Sequence, residues 1–413
     1  MQTFLGQSAA HILQKHPTLA DIELIVPTRR ATVFLQQELA QRTKVAVLSP
    51  PIWSIDDFIA NHSALAIADS ISLLFTLYEA FKEVDPKVEF EKFIKWAPLL
   101  LSDFDRIDQY LVDPDYLFDY LTEAKAIERW QPDLSPTKSI KPSPTTTAYF
   151  ALFEQIKAVY PIFGQKLRDD KKAYRGMAYR QVATQNPNVV LNSPTAFYYF
   201  LGFNAFTPSE TRIIQSLVKA KRAELLWDTD SYYMEHNPYV EAGVSLRHYK
   251  QQATFGTWRW QGDRLTTDPK TIHIYGVPNA SMQTKTAGDI YQKLRQLDTP
   301  ERPTSTAIVL ADENLVVPLL YSLDDGVKEL NITMGLTLRN SLLNTLIEGI
   351  FDLQLSTRKI NLRDGTTRHI PQFSHKTIRK VLNHPFIRHY EQLAMVPDEA
   401  DQLTSLQRVL QVL

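Results

Sequence analysis

Two blocks of strand–helix alternation, separated by a long stretch without any strand signal, limit what this chain can fold into. In the first block the run Ile22, Glu23, Leu24, Ile25 and Val26 is β-rich and stops at Pro27, and residues 30–42 then place Val33, Phe34 and Leu39 among polar neighbours at helical spacing. A short amphipathic helix over residues 3–15 precedes this unit. A second β unit, 45–48, ends at Pro50 and Pro51, and Ser54 has the chemistry of an N-cap for the helix that follows. Strands return at 196–201 and 223–227, joined by a helix that starts at Pro208. Such β-α-β alternation predicts a parallel sheet that resumes after an insertion.

The insertion, 61–184, carries helical patterns over 71–81, 90–110 and 147–167, with a proline-marked exposed loop at 131–147. A third region opens with strand-like runs at 272–275 and 307–310 and helices at 285–294 and 341–353. A polar hairpin and a helix from Ser374 follow. The organisation expected is therefore a first α/β lobe in two segments, 1–60 and 185–265, a helical insertion subdomain, 61–184, and the start of a second α/β lobe, 266–413. The final residues, 403–413, keep an apolar helical pattern with no stop signal, which reads as a chain that continues into a longer polypeptide.

Composition narrows the functions. Lys and Arg (45) almost balance Asp and Glu (46), so no global basic field advertises a polyanionic partner and any nucleic-acid contact must be local. The absence of cysteine removes disulfides, thiolate metal sites and a cysteine nucleophile, and fits a reducing compartment. With no leader-like opening and no apolar run approaching ~20 residues, the expectation is a cytoplasmic protein with no membrane partner.

A search for catalytic motifs is mostly negative. None of the 13 glycines is followed by Lys, which removes the P-loop, and GxGxxG, GxSxG and HExxH are all missing. His384 and His389, five apart, read as surface histidines and not as metal ligands. Pro114 and Asp115 followed by Glu123 and Lys125 match the written form of a PD-(D/E)XK nuclease site. A helical apolar face through Leu117, Tyr120 and Leu121 nevertheless makes the match accidental, because that chemistry needs its acids on adjacent strands. Asp103, Asp105, Asp108 and Asp113 read as a solvated helix face with local caps.

An ordered series of segments does carry a resemblance. Ile25 to Ala31 resembles the strand-to-helix turn of superfamily 1 helicases that touches single-stranded DNA, and Ser49 to Phe58 resembles the segment after it. Phe200 to Glu210 stands where an active helicase has its Walker B acids, but Gly202 and Asn204 interrupt it. Leu225 to Tyr233 resembles the γ-phosphate-sensing segment with Ser231 in place of its Gln. Val277 to Thr284, Asn331 to Leu338 and Asn383 to Ile387 continue the series, and the whole is similar to the inactivated AddB/RecB-like helicases that accompany PD-(D/E)XK nucleases.

That resemblance implies RecA-like (P-loop NTPase-like) lobes with parallel sheets, interrupted by a helical subdomain. It implies a non-catalytic DNA-binding and scaffolding module of a helicase–nuclease in break processing, recombination and repair, with no cofactor, no metal and no enzymatic activity of its own; the family nuclease would lie beyond Leu413. Its partners would be single-stranded or end-containing DNA and an active helicase–nuclease subunit. Thr28, Arg29 and Arg30 become candidate phosphate contacts and Trp53 a stacking platform, while Gly202, Asn204, Asp228 and Ser231 mark a degenerate ATP site. The alternative class is a divergent α/β enzyme that binds a nucleotide or sugar phosphate near Gly202, Asn204 and Asp228 at the sheet's carboxyl edge.

Overall fold

The computed structural model describes residues 3–43, 47–122, 144–184, 195, 197–236, 239–259, 261–296, 306–327, 329–335, 337–355, 358–361, 367–370 and 373–394. It is a mixed α/β structure, mostly helical, with a small parallel sheet. The chain divides into two compact units, Met1–Lys270 and Thr271–Leu413.

The first unit is organised by four parallel strands, β1 (Ile22–Val26), β2 (Ile52–Ser54), β5 (Phe197–Leu201) and β6 (Ala223–Leu226), in the order β2-β1-β5-β6. The central strands are mostly apolar because both faces are covered, with Glu23 of β1 the charged exception. On one face Leu24, Val26, Tyr199, Leu201 and Leu226 meet Ala9 and Ile12 of helix α1 (Phe4–Lys15) and Leu35 and Leu39 of α2 (Arg29–Arg42). The period-2 alternation sends Ile25, Tyr198, Phe200 and Leu225 to the other face. There they join Phe58 and Ile59 of α3 (Ile55–His62) and Ile213, Ile214 and Leu217 of the helix Pro208–Lys219.

This second face does not stop at the sheet. Leu77 and Phe81 of α4 (Ser70–Val84), Phe104 of the helix Ala97–Gln109, Phe163 of Pro144–Asp169 and Tyr179 of Arg175–Thr184 belong to the same apolar cluster. The helical insertion therefore shares one core with the sheet. Each such aromatic or leucine side chain contributes about 1.5–3 kcal/mol on burial, so the insertion and the sheet stabilise each other.

Several expectations need correction. The strand placed at 45–48 lies partly outside the described residues, and Val47 and Leu48 are not in a strand, with Leu48 91% exposed. The pairing strand is Ile52–Ser54, immediately after the two prolines: Leu24 N donates to Pro51 O at 3.0 Å, so a residue without an N–H can still open the ladder through its carbonyl. The insertion is not free of β structure, since β3 (Ala66–Ile67) pairs in parallel with β4 (Lys172–Ala173). The helix expected over 90–110 is two, Phe90–Phe93 and Ala97–Gln109, because Pro98 at the start of the second supplies no N–H to continue the first. Most of the proline-marked loop lies outside the described residues, while 144–147 already belong to a helix.

In the second unit the helix Ala280–Gln296 packs on Val316–Leu320, and Leu342–Leu355 packs on His375–Leu382 and Pro385–Ala394. The hairpin appears as antiparallel Arg358–Asn361 and Thr367–Ile370. The runs 272–275 and 307–310 form no strands; Ile274 is 92% and Val309 90% exposed. Their β-rich composition has no ladder to join among the described residues, and β-propensity without a pairing partner does not make a strand.

Candidate functional site

Because the four strands are parallel, their carboxyl ends share one edge, where open α/β sheets hold their ligands. At the end of β1, Thr28 is extended and its Oγ1 accepts a hydrogen bond from Ala31 N at 3.3 Å, capping α2. The first turn of α2 contains no acid but two arginines, Arg29 and Arg30, so a helix N-terminus and two cations occupy the same turn. Arg30 is exposed and has no ion pair among the described residues.

Arg29 is differently placed. Its Nη2 donates to Asp57 Oδ1 at 2.6 Å and its Nε to Oδ2 at 3.1 Å, a two-pronged pair that joins the starts of α2 and α3. Ser54 Oγ, the N-cap of α3, donates to the same carboxylate at 2.6 Å. The bonds from Arg29 and then Ser54 hold the Asp57 carboxyl below its ordinary range.

Trp53 lies away from this edge. Its half-buried indole packs against the second sheet face, and Nε1 donates to Glu23 Oε2 at 3.1 Å. Glu23 is near the beginning of β1 and also accepts from Thr195 Oγ1. The structure therefore groups Thr28, Arg29 and Arg30 and leaves Trp53 separate.

Gly202 and Asn204 follow β5. Gly202 has φ +70°, and a Cβ there would lie 3.2 Å from Phe4 Cε1, so the glycine permits both the turn and the close approach of that ring. Asn204 is exposed. Beyond β6, Asp228 lines a recess of about 430 Å³ with Phe4, and Ser231 N donates to Gly262 O at 2.7 Å in its wall. Asp228 is exposed at this recess, and desolvation pushes its carboxyl up.

A further set of charges ties the helices together, among them Asp105 and Asp108, which sequence patterns place on a solvated helix face. Asp56 Oδ1 accepts from Arg175 Nε at 2.7 Å and from Tyr179 Oη at 2.6 Å, tying α3 to the helix Arg175–Thr184. Burial raises the carboxyls of Glu210 and Asp105. Asp108, read as part of a solvated face, is 2% exposed and accepts hydroxyls from Tyr160 and Tyr174 while pairing with Arg180. Its burial depends on partners far away in the chain, which helical spacing cannot show. Asp113 does cap its helix, accepting from Asp115 N at 3.0 Å.

His384 is likewise not a surface residue: it is 8% exposed, accepts from Phe386 N at Nδ1, and so carries its proton on Nε2, 3.0 Å from Thr345 Oγ1. Asp115 sits in the first turn of the helix Pro114–Thr122, and Glu123 and Lys125 lie outside the described residues. Among the described residues no three His, Asp or Glu side chains gather as a metal site, and no helix is long and apolar enough to cross a membrane. No protein-family model matches the chain, and no curated protein matches it.

Proposed function

We propose that this chain is a non-catalytic, helicase-like DNA-binding and scaffolding module, built on RecA-like lobes with a helical insertion. It serves an active helicase–nuclease partner in the processing of DNA breaks in the cytoplasm. The observation that carries this reading is the Thr28-capped N-terminus of α2 at the sheet's carboxyl edge, with Arg29 and Arg30 and no acid in its first turn. Main-chain N–H groups at a helix start and arginine side chains together suit phosphate oxygens and carry no base preference. The order of helicase-like segments along the sequence supports the same reading.

The test is single-strand binding as log affinity against log salt. Replacing Arg29 and Arg30 together by Ala removes two phosphate contacts, which lowers the slope by about 1.4 at roughly 0.7 per phosphate. An unchanged affinity and slope in a variant that melts normally would remove the proposed track. Turnover of ATP above background after repurification would overturn the non-catalytic part of the reading.

A nucleotide-binding enzyme is served less well, because the recess beyond β6 is lined by both Asp228 and Asp230, whose charges oppose a phosphate.

A further inference from the structure

A groove of about 830 Å³ lies between the helix Pro208–Lys219 and the single turn Ala253–Phe255, with Leu111 also in its lining. Its walls are fixed by contacts of their own. Gln215 Nε2 donates to Thr254 Oγ1 at 2.9 Å, joining one wall to the other. Behind the turn the buried Phe255 stacks on Phe206, with ring centroids 5.9 Å apart and 16° between the planes. The lining is of two kinds. Leu111, Pro208, Val218 and Ala253 supply aliphatic surface. Arg212 and Lys219, both exposed, supply the charge, and no Asp or Glu lines the groove among the described residues. Neither cation is engaged in an ion pair among the described residues, in contrast to Arg29, which Asp57 holds. Two helical turns separate them, which places both on one face of the helix, ~10 Å apart along its axis.

We propose that this groove docks an acidic peptide segment of a partner protein, an extended stretch with aliphatic side chains in the groove and a carboxylate on either side to meet Arg212 and Lys219. Charge complementarity carries the choice of partner. Two cations without an acid between them attract carboxylates and disfavour a basic segment. Their separation matches carboxylates three residues apart in an extended chain, at ~3.3 Å per residue. The aliphatic surface suits Leu or Val, whose burial adds affinity that exposed ion pairs alone do not supply. Walls already fixed leave little ordering cost to docking. Single-stranded nucleic acid is the competing polyanion, but its bases are held by stacking on aromatic rings, and no aromatic side chain lines the groove among the described residues. The lining includes neither Arg29 nor Arg30, so the inference does not rest on the DNA reading.

Fluorescence anisotropy of the full chain with the fluorescein-labelled peptide Ser-Glu-Leu-Val-Glu-Ser, repeated over a range of salt, tests it. Saturable binding that weakens as salt rises is expected. Two control peptides, one with Gln for both Glu and one with Ser for Leu and Val, should each bind several-fold less tightly; they test the same contacts without altering the protein. Arg212→Gln and Lys219→Gln should each weaken binding of the acidic peptide about twofold to fivefold, as befits exposed ion pairs, and the double variant should also lose most of the salt dependence. Thr211→Trp, which fills part of the groove and leaves its charge unchanged, should weaken binding as well, which separates a groove from a diffuse basic surface. Thermal melts check that each variant is folded. No saturable binding, equal binding of the acidic peptide and either control, unchanged affinity in the folded double variant or in folded Thr211→Trp, or tighter binding of an oligothymidylate than of the peptide at these residues would overturn the proposal.

Discussion

Arg29 and Asp57 face each other across the carboxyl edge of the sheet in a two-pronged ion pair, with contacts of 2.6 and 3.1 Å. Exposed pairs of this kind add little to stability, about 0–1 kcal/mol. Here the pair instead sets how much of the Arg29 charge is offered to a ligand. Asp57→Asn removes that competitor, and single strands should then bind several-fold more tightly with a salt slope at least as steep as wild type. Unchanged or weaker binding in a folded Asp57→Asn variant would show that Arg29 does not meet the nucleic acid.

Asp108 anchors the insertion from within. Asp108→Ala leaves Arg180 and the hydroxyls of Tyr160 and Tyr174 without their common partner, and such a loss should cost about 3–5 kcal/mol. Tyr174→Phe, which removes one donor only, should cost about 1–3 kcal/mol. Urea denaturation of both variants checks the order; a cost for Asp108→Ala no larger than that of Tyr174→Phe would argue against the shared anchor.

Gly176 is held against backbone. A Cβ at that position would lie 2.0 Å from the carbonyl oxygen of Asp105, and a main-chain atom cannot step aside as a flexible side chain can. Gly176→Ala should therefore separate the helix Arg175–Thr184 from Ala97–Gln109 and lower the melting temperature by more than an alanine elsewhere on the same helix. A melt indistinguishable from wild type would show that the two helices are not tightly apposed.

Glu210 gives a pH signature with a definite sign. Burial raises its folded-state pKa above the unfolded value, so its stabilising contribution is present in full below the unfolded pKa and is lost as pH rises through the folded one. Glu210→Gln preserves an acceptor for Thr207 N in the capping box but cannot ionise. The wild type should lose stability relative to Glu210→Gln on going from mildly acidic to neutral pH. Parallel stability curves over that range would remove Glu210 as the cause. Asp57 works in the opposite sense: its depressed pKa makes its contribution vanish only as pH falls through that lowered value, in a more acidic window.

What the sequence determined by itself is what neighbours within a few residues can enforce. Thr28, Ser54 and Thr207 cap helices because each oxygen reaches an N–H three residues on. The strands at Ile22–Val26 and Phe197–Leu201 were legible from apolar runs bounded by breakers, and their resumption across the insertion followed from β-α-β alternation. Tertiary structure decided what depends on distant partners. Asp103 and Asp108 share a helix and a side-chain type, yet only Asp108 meets Tyr160, Tyr174 and Arg180, and so is drawn out of water. The strand-like runs at 272–275 and 307–310 stay outside any ladder, while the short segment Ile52–Ser54 becomes a strand because β1 lies beside it. Arg29 and Trp53, both chosen as ligand contacts from local pattern, are held by Asp57 and Glu23, about thirty residues away in the chain. Period and capping chemistry are local and can be read along the chain; which charge meets which is settled only when the sheet order brings distant segments together.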